Sequence, residues 1–237
     1  MRAGDIDCII LGTLSPDIHF LGTAVFLQHK LGVSETPSCA CYDIRQQRSA
    51  FVYGLQMADA FIRTGMYKRV LLVGAEIHSH SLDYSTRGRD VMVLFGAGAG
   101  AVVLGPMESE DPRAGVVYTS AHADGSGAMD LHMKLFGHAK LPNRIELDTV
   151  WYPLMDGKRV FLNAVRATVT STQGALKATG MTWDDIDWFV PHQANLRINE
   201  KVAEVAQIPA DKVLNSIQLF GNTTAATVPL TIDHWRQ

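Results

Sequence analysis

Two stretches near the C-terminal end decide the fold: VPHQAN at residues 190–195 and FGNTTAA at residues 220–226. The first places His192 directly after a short apolar run that is typical of a buried strand, at the start of an amphipathic segment. The second places Asn222 between a glycine and small residues that open another helix. Ligands of open α/β sheets bind where strands give way to helices. A single histidine is more often structural, but a histidine and an asparagine together predict a site that donates hydrogen bonds to an oxyanion.

Outward from these loops, short apolar runs alternate with amphipathic segments, and Gly32, Gly65 and Gly180 predict where three helices end. This alternation predicts an α/β fold with a largely parallel sheet. The predicted strands cover residues 8–11, 39–43, 70–73, 101–104, 188–190 and 212–215, and the predicted helices cover residues 24–31, 51–62, 160–178 and 196–206.

A repeated string indicates an internal duplication. Asp5-Ile6-Asp7 precedes one apolar run and Asp185-Ile186-Asp187 precedes another, and similar elements follow each in the same order. We therefore predict two pseudo-repeated halves, at residues 1–110 and 111–237. The repeat is cut unevenly, so we expect a fold that is incomplete at both termini and leaves sheet edges unpaired.

Composition excludes several classes of protein. The 237 residues include 21 Lys and Arg against 24 Asp and Glu, a net charge of −3, which offers no basic excess for nucleic acid or an anionic membrane. The longest apolar runs, such as residues 99–104, are far shorter than a membrane span. The first residues lack the apolar stretch of a signal peptide, and three cysteines suit a reducing compartment. We expect a soluble, cytoplasmic protein.

Longer strings give a specific resemblance. PHQANLRI at residues 191–198, FGNTTAATVP at residues 220–229, YSTRG at residues 84–88 and the glycine-rich residues 95–104 resemble the beta-ketoacyl-ACP synthase III family. The resemblance implies a thiolase-like fold of αβαβα layers and a homodimer. It also implies the initiating condensation of fatty-acid synthesis, in which acyl-CoA and malonyl-ACP give 3-oxoacyl-ACP, CO2 and CoA, without a further cofactor or a metal.

The resemblance also assigns roles to individual residues. The family uses a Cys–His–Asn triad, of which His192 and Asn222 match the last two members. Arg197 matches a residue implicated in docking acyl carrier protein, Arg87 one near the CoA nucleotide, and Phe20 one that lines the acyl pocket across the dimer.

The nucleophile position breaks the pattern, because Arg48 stands where the family has cysteine. A guanidinium stays protonated and cannot attack a thioester as a thiolate does. Ser49 is adjacent, but one step along a helix turns a side chain by about 100°. Cys39 and Cys41 precede the helix in a predicted strand, where packing is the expected role.

Other departures accompany Arg48: Ala50 replaces a glycine, Ala97 an aspartate and Leu21 a proline. Two hypotheses remain, an impaired condensing enzyme and a non-catalytic homologue that binds a partner chain or acyl carrier protein. For the first, we expect slow decarboxylation of malonyl thioesters without condensation. Arg48 would oppose even this reaction if it bound the malonyl carboxylate, since that would stabilise the ground state.

Three weaker signals have a structural alternative. Residues 96–101 fit a loose dinucleotide pattern, but a predicted strand follows, so close packing of backbone is favoured. His78, His80 and Asp83 are candidate metal ligands, and a packing or solvent-facing role is favoured for them and for the histidines at 122, 132 and 138. Seven cations would form a basic rim for an acidic partner if they converged on one mouth, and ordinary solvated charge is the alternative; they are Arg45, Arg48, Lys68, Arg69, Arg87, Arg89 and Arg197.

Overall fold

Four strands form one sheet in the first half of the chain. The computed structural model describes residues 1–33, 39–133 and 152–236. The strands are β1 (Cys8–Gly12), β2 (Ala40–Ile44), β3 (Val70–Glu76) and β4 (Gly98–Leu104), in the order β2-β1-β3-β4. β1 pairs in parallel with β2 and β3, and β4 is antiparallel to β3. The prediction of a largely parallel sheet is confirmed for three of these four strands.

Two helices cover opposite faces of this sheet: α1 (Thr23–Lys30) and α2 (Ala50–Arg63). Successive side chains of a strand point to opposite faces. Ile9 of β1 therefore packs in the cluster that contains α1, whereas Ile10 packs with Phe51 of α2. All five residues of β1 are buried, as expected for a strand covered on both sides.

Helices dominate the rest of the described chain. They are α3 (Arg89–Met92), α4 (Gly157–Thr179), α5 (Leu196–Ala206), α6 (Ile217–Phe220) and α7 (Thr227–Arg236), and a short antiparallel pair joins β5 (Leu131–His132) to β6 (Leu154–Met155). Val169 of α4 packs against Ile198 and Val202 of α5. Within the described residues, no helix has the length and apolar character that crossing a membrane requires.

The predicted helix ends are confirmed, but the two C-terminal strands are not. Gly65 and Gly180 have φ of 74° and 69°, the left-handed conformation of a helix C-terminal cap. The strands predicted at residues 188–190 and 212–215 are reduced to one parallel bridge, between Phe189 and Val213. In the described part of the chain no third strand pairs with either segment, so a sheet cannot extend from this bridge.

The two Asp-Ile-Asp strings have the same local structure, which supports the predicted duplication. The first aspartate of each string is the last residue of a 3₁₀ turn, Ala3–Asp5 or Trp183–Asp185. In both turns the last aspartate accepts a hydrogen bond from the backbone N–H three residues earlier, at 2.7 Å for Asp5 and 3.0 Å for Asp185. The boundary at residue 110 stays a prediction.

Candidate active site

Arg48 lies in a tight turn between the sheet and α2. The chain leaves β2 at Ile44 and forms the 3₁₀ turn Gln47–Ser49, in which Gln47 has a positive φ of 49°. This turn packs against a second 3₁₀ turn, Thr224–Ala226. The Arg48 side chain is half-buried, and its Nε atom is buried without a hydrogen-bond partner. Burial lowers the pKa of the guanidinium below its usual value.

His192 follows the Phe189–Val213 bridge and is held by a threonine. Its Nδ1 atom lies 2.7 Å from Thr227 Oγ1, whose hydroxyl donates to the carbonyl oxygen of Thr224 at 2.9 Å. A hydroxyl has one hydrogen, so Nδ1 must donate to Thr227. The neutral ring therefore carries its lone pair on Nε2, which is buried and has no partner. Burial, and then the positive charge of Arg48, hold the pKa of His192 well below its usual value.

Asn222 is buried in a C-terminal loop that pairs with the segment before β4 through a bridge to Phe95. Its backbone N–H donates to Leu94 O at 2.8 Å, and its carbonyl accepts from Gly96 N at 3.0 Å. Its side-chain oxygen accepts from Thr224 N at 3.0 Å. The side-chain amide nitrogen donates to no described residue and is the free donor of the loop. This geometry orients Asn222 firmly.

The sequence analysis missed a buried carboxylate behind this loop. Glu76, the last residue of β3, accepts from Leu14 N at 3.1 Å and from Ser15 Oγ at 2.9 Å. It also accepts hydrogen bonds from Thr224 and from the backbone of Ala225. Burial raises its pKa, while these donors oppose the rise. Its position at the carboxyl end of a parallel strand is the signal that would have indicated it.

His78 supports the same loop. Its ring is buried, and its Nε2 atom lies 3.3 Å from Thr224 Oγ1. Burial, with His80 and Arg48 as lesser causes, lowers the pKa of His78 to about 4. Thr224 itself has a φ of 40°, a strained conformation for a β-branched residue. Hydrogen bonds from three directions therefore maintain this conformation.

Close approaches of backbone explain two glycines beside the site. A Cβ on Gly74 of β3 would overlap the carbonyl oxygen of Ala225. A Cβ on Gly12 would lie 2.6 Å from the Cβ of Ala50. Gly12 therefore leaves room for the methyl group of Ala50.

Two cavities flank the Gln47–Ser49 turn. The larger, of about 480 Å³, is lined by Arg45, Gln47, His78 and Thr224 among others. The smaller, of about 80 Å³, lies between the turn, α4 and α5, and Arg48 and His192 both line it. Asn222 lines neither cavity. The structure thus brings Arg48 and His192 together, and hydrogen bonds through the threonines at 224 and 227 connect Asn222 to His192.

The remaining predicted binding residues lie on the surface. Arg87 donates to Asp83 at 2.7 Å and stacks over Tyr152, with 5.7 Å between its guanidinium carbon and the ring centre. Arg197 is exposed at the start of α5, and Phe20 is 87% exposed. Their roles stay predictions.

The structure corrects the predicted basic rim. Lys68 and Arg69 precede β3, at the amino ends of the parallel strands, where their backbone N–H groups donate to Asp7. Arg45 and Arg48 follow β2, at the carboxyl ends. The first pair therefore lies at the opposite edge of the sheet, and the seven cations do not converge on one mouth.

The weaker candidates have structural roles. The glycine-rich segment forms β4, where a Cβ on Gly100 would lie 2.9 Å from the Pro229 ring, so close packing explains it. Among the described residues no group of three or more His, Cys, Asp or Glu side chains is arranged for a metal. The histidine at position 138 lies outside the described residues.

No cysteine replaces the missing nucleophile among the three in the chain. Burial raises the pKa of Cys8 to about 12 and of Cys41 to about 11, and it also raises the pKa of Cys39. All three lie in or beside the sheet core, which confirms a packing role for Cys39 and Cys41. Ser49 is exposed and lines neither cavity, and its hydroxyl donates to Gln46 O.

Comparisons with known proteins agree with this architecture. The sequence profile of 3-oxoacyl-[acyl-carrier-protein (ACP)] synthase III matches residues 42–125, and the profile of its C-terminal region matches residues 176–237. Beta-ketoacyl-[acyl-carrier-protein] synthase III of Rhizobium meliloti (strain 1021) is 40% identical over 238 residues, which is 98% of this chain and 70% of the relative.

Solved structures match over nearly the whole chain. The 3-oxoacyl-[acyl-carrier-protein] synthase III of Aquifex aeolicus VF5 superposes with a TM-score of 0.85 at 35% identity, covering 99% of this chain and 69% of that one. The corresponding enzyme of Pseudomonas aeruginosa PAO1 gives a TM-score of 0.82 at 32% identity, with 97% and 67% covered. The likeness extends through both halves of the described fold.

Proposed function

The chain belongs to the 3-oxoacyl-[acyl-carrier-protein] synthase III family and has its thiolase-like fold, and we propose that it is an impaired condensing enzyme. It binds malonyl thioesters of CoA or acyl carrier protein and removes CO2 from them slowly. It does not complete the condensation with an acyl group, because Arg48 cannot accept one from acyl-CoA.

The observation that carries this proposal is the side chain at position 48. Arg48 lies in the turn directly before α2 and lines one cavity with His192, at the position where the resemblance implies the nucleophile of the family. A thiol at this position transfers its proton to a base and attacks the thioester carbonyl. A guanidinium has no lone pair available at neutral pH. Condensation by way of an acyl-enzyme is therefore excluded at position 48.

Decarboxylation makes a smaller demand on the site. When the malonyl carboxylate leaves as CO2, its electron pair becomes an enolate whose charge lies on the thioester oxygen, and a proton then adds to the carbon to give an acetyl thioester. Hydrogen-bond donors at that oxygen stabilise the charge. The free amide nitrogen of Asn222 is one donor. The other, His192 Nε2, donates only after the ring gains a proton.

This requirement explains why the reaction is slow. The sequence analysis treated His192 as a donor, but the Thr227 contact leaves neutral His192 with an acceptor at Nε2. Since its pKa lies well below the usual value, the doubly protonated ring is scarce at neutral pH. The rate of decarboxylation should therefore increase as pH falls toward the pKa of His192, by up to tenfold per pH unit.

The test is incubation of the chain with malonyl-CoA or malonyl-ACP, with and without labelled acetyl-CoA. We expect acetyl thioester from malonyl thioester, no 3-oxoacyl product, and no acyl group on the chain by intact mass. His192→Ala and Asn222→Ala should each abolish the acetyl product. Formation of 3-oxoacyl product, or full activity of both variants, would overturn the proposal.

The second candidate function is non-catalytic binding of acyl carrier protein, and Arg197 favours it. Its guanidinium is exposed and makes no ion pair with a described residue, so it is available to an acidic surface. Binding without any turnover, lost in Arg197→Ala and kept in His192→Ala, would establish this alternative in place of the first.

We also propose that the chain forms a homodimer in the cytoplasm, as its resemblance implied. The exposed loop that carries Phe20, with the neighbouring Leu21 68% exposed, supports an apolar contact with a second copy. Sedimentation equilibrium tests this proposal. Phe20→Ser should shift a dimer toward monomer, and a monomeric unmodified chain would refute it.

A further inference from the structure

Arg48 is a partly buried cation without a partner. Its Nε atom is buried and makes no hydrogen bond. The described residues provide no carboxylate within ion-pair distance of its guanidinium. Burying an uncompensated charge is costly, and native proteins pair or hydrogen-bond nearly all such groups. The unpaired Nε atom therefore indicates a group that the described residues do not provide.

The cavity beside Arg48 has the size and lining of a small binding site. Its volume is about 80 Å³, several times the space that one water requires. Apolar residues of α4, of α5 and of the loop before α5 form most of its wall, and Arg48, His192, Thr168 and Asn199 contribute the polar groups. No Asp or Glu lines it, and Arg48 is the one charged residue among its described lining.

We propose that Arg48 and His192 form a receptor for a small carboxylate. The planar fork of a guanidinium matches the two oxygens of a carboxylate, and both donors strengthen in a water-poor cavity. The buried Nε2 atom of His192, which has no partner, lies on the same wall. A carboxylate accepts from Arg48, and His192 takes up one proton on binding so that Nε2 donates to the second oxygen.

The ligand is a carboxylate of one or two carbons, or the carboxylate of a malonyl group. The cavity admits formate or acetate. A malonyl thioester would place the same chemical group there, the free carboxylate of its malonyl unit. Binding of the free anion does not depend on the proposed decarboxylation. Occupancy by the malonyl carboxylate would retard CO2 loss, because it stabilises the charge that the reaction removes.

The test is titration of the full chain, labelled with ¹⁵N in arginine and histidine, with sodium formate at constant ionic strength. We expect saturable shifts of the Arg48 Nε–H and His192 Nε2 resonances, with a dissociation constant in the millimolar range, as suits so small a ligand. The affinity should increase about tenfold for each pH unit of acidification while free His192 is neutral. Sodium chloride serves as the control anion.

Variants separate the site from general surface charge. Arg48→Met keeps the length of the side chain without its fork and should weaken formate binding at least tenfold, whereas Arg45→Met removes an exposed charge three residues away and should leave it unchanged. Arg48→Lys keeps the positive charge and serves as a control for folding. Its affinity for formate should lie between that of Arg48→Met and that of the unmodified chain. Equal binding by Arg48→Met and the unmodified chain, an absence of saturation, or an affinity independent of pH would overturn the proposal.

A competition experiment identifies the source of the carboxylate and keeps this proposal apart from the proposed function. If malonyl-CoA displaces formate and acetyl-CoA does not, the malonyl carboxylate occupies the site. If neither displaces it, the free anion is the ligand, and either result supports the receptor. Formate binding by a chain that has no decarboxylase activity would refute the proposed function and leave this site intact.

Discussion

The two sides of the candidate site use their polar groups to very different extents. On one side, Glu76, Thr224 and Thr227 form a hydrogen-bonded network that fixes the loops carrying His192 and Asn222. On the other side, Arg48 makes no hydrogen bond or ion pair with any described residue. The difference teaches that the network does not depend on the side chain at position 48. A substitution at that position should therefore leave the loops of the opposite side in place.

The largest effect is expected from Arg48→Cys, which places a thiol at position 48, on the side of the site without hydrogen bonds. The start of α2 favours a thiolate, and the Nε2 lone pair of His192 is placed to accept the proton. We expect acyl-enzyme formation with acetyl-CoA to change from none to about one group per chain, measured by intact mass. Arg48→Ser is the matched control, since a hydroxyl at this position should stay unlabelled. Labelling of the serine variant, or none of the cysteine variant, would show that the loops are not aligned for attack.

A Cβ on Gly74 would break the network side. Gly74→Ala drives a methyl group into the carbonyl oxygen of Ala225, and we expect a loss of about 3 kcal/mol or more in the free energy of unfolding, measured in urea. Gly174→Ala is the control, because its Cβ meets no atom within 4 Å on an exposed face of α4. That variant should gain about 0.5–1 kcal/mol from helix propensity. Equal stability of the two variants would contradict the close approach.

Acid should lower the free energy of unfolding through His78, which contacts the hydrogen-bonded network at Thr224. Its pKa falls from 6.5 in the unfolded chain to about 4 in the folded one. Between these values the unfolded chain binds more protons, so stability is fully present above pH 6.5 and is lost as pH falls toward 4. The shift corresponds to an upper bound of about 3 kcal/mol. His78→Gln should flatten the acid limb of a plot of unfolding free energy against pH, whereas exposed His29→Gln should not; identical limbs would disprove the assignment.

Thr227→Val gives the smallest change and the most specific one. It removes the acceptor of His192 Nδ1–H, and an unpaired buried donor costs about 1–3 kcal/mol. The imidazole nitrogen resonances of His192 should move toward the other tautomer. Thr231→Val removes a buried hydroxyl of similar setting that contacts Ser216 and Thr227 O instead. It should cost comparable stability and leave the His192 resonances in place; shifts in both variants would mean that the tautomer depends on the loop and not on one hydroxyl.

Local patterns predicted the elements of this fold well where the interactions are local. α4 was expected at residues 160–178 and covers Gly157–Thr179, and α2 was expected at residues 51–62 and covers Ala50–Arg63. Helical periodicity and glycine caps depend on neighbours along the chain, so both were visible. The strands expected near Phe189 and Val213 failed, because a strand exists only where other strands pair with it.

The candidate site divides in the same way. The sequence by itself determined the family and the loops that carry His192 and Asn222, and it put an arginine at position 48, since each is a matter of residue identity. Only the tertiary structure decided that Thr227 sets the proton of His192, that Glu76 supports the loop, and that Arg48 lines a cavity with no counter-ion among the described residues. The partners in these contacts are far apart in the chain, by 35 residues for His192 and Thr227 and by 146 for His78 and Thr224, and no local pattern of residues encodes which of them meet.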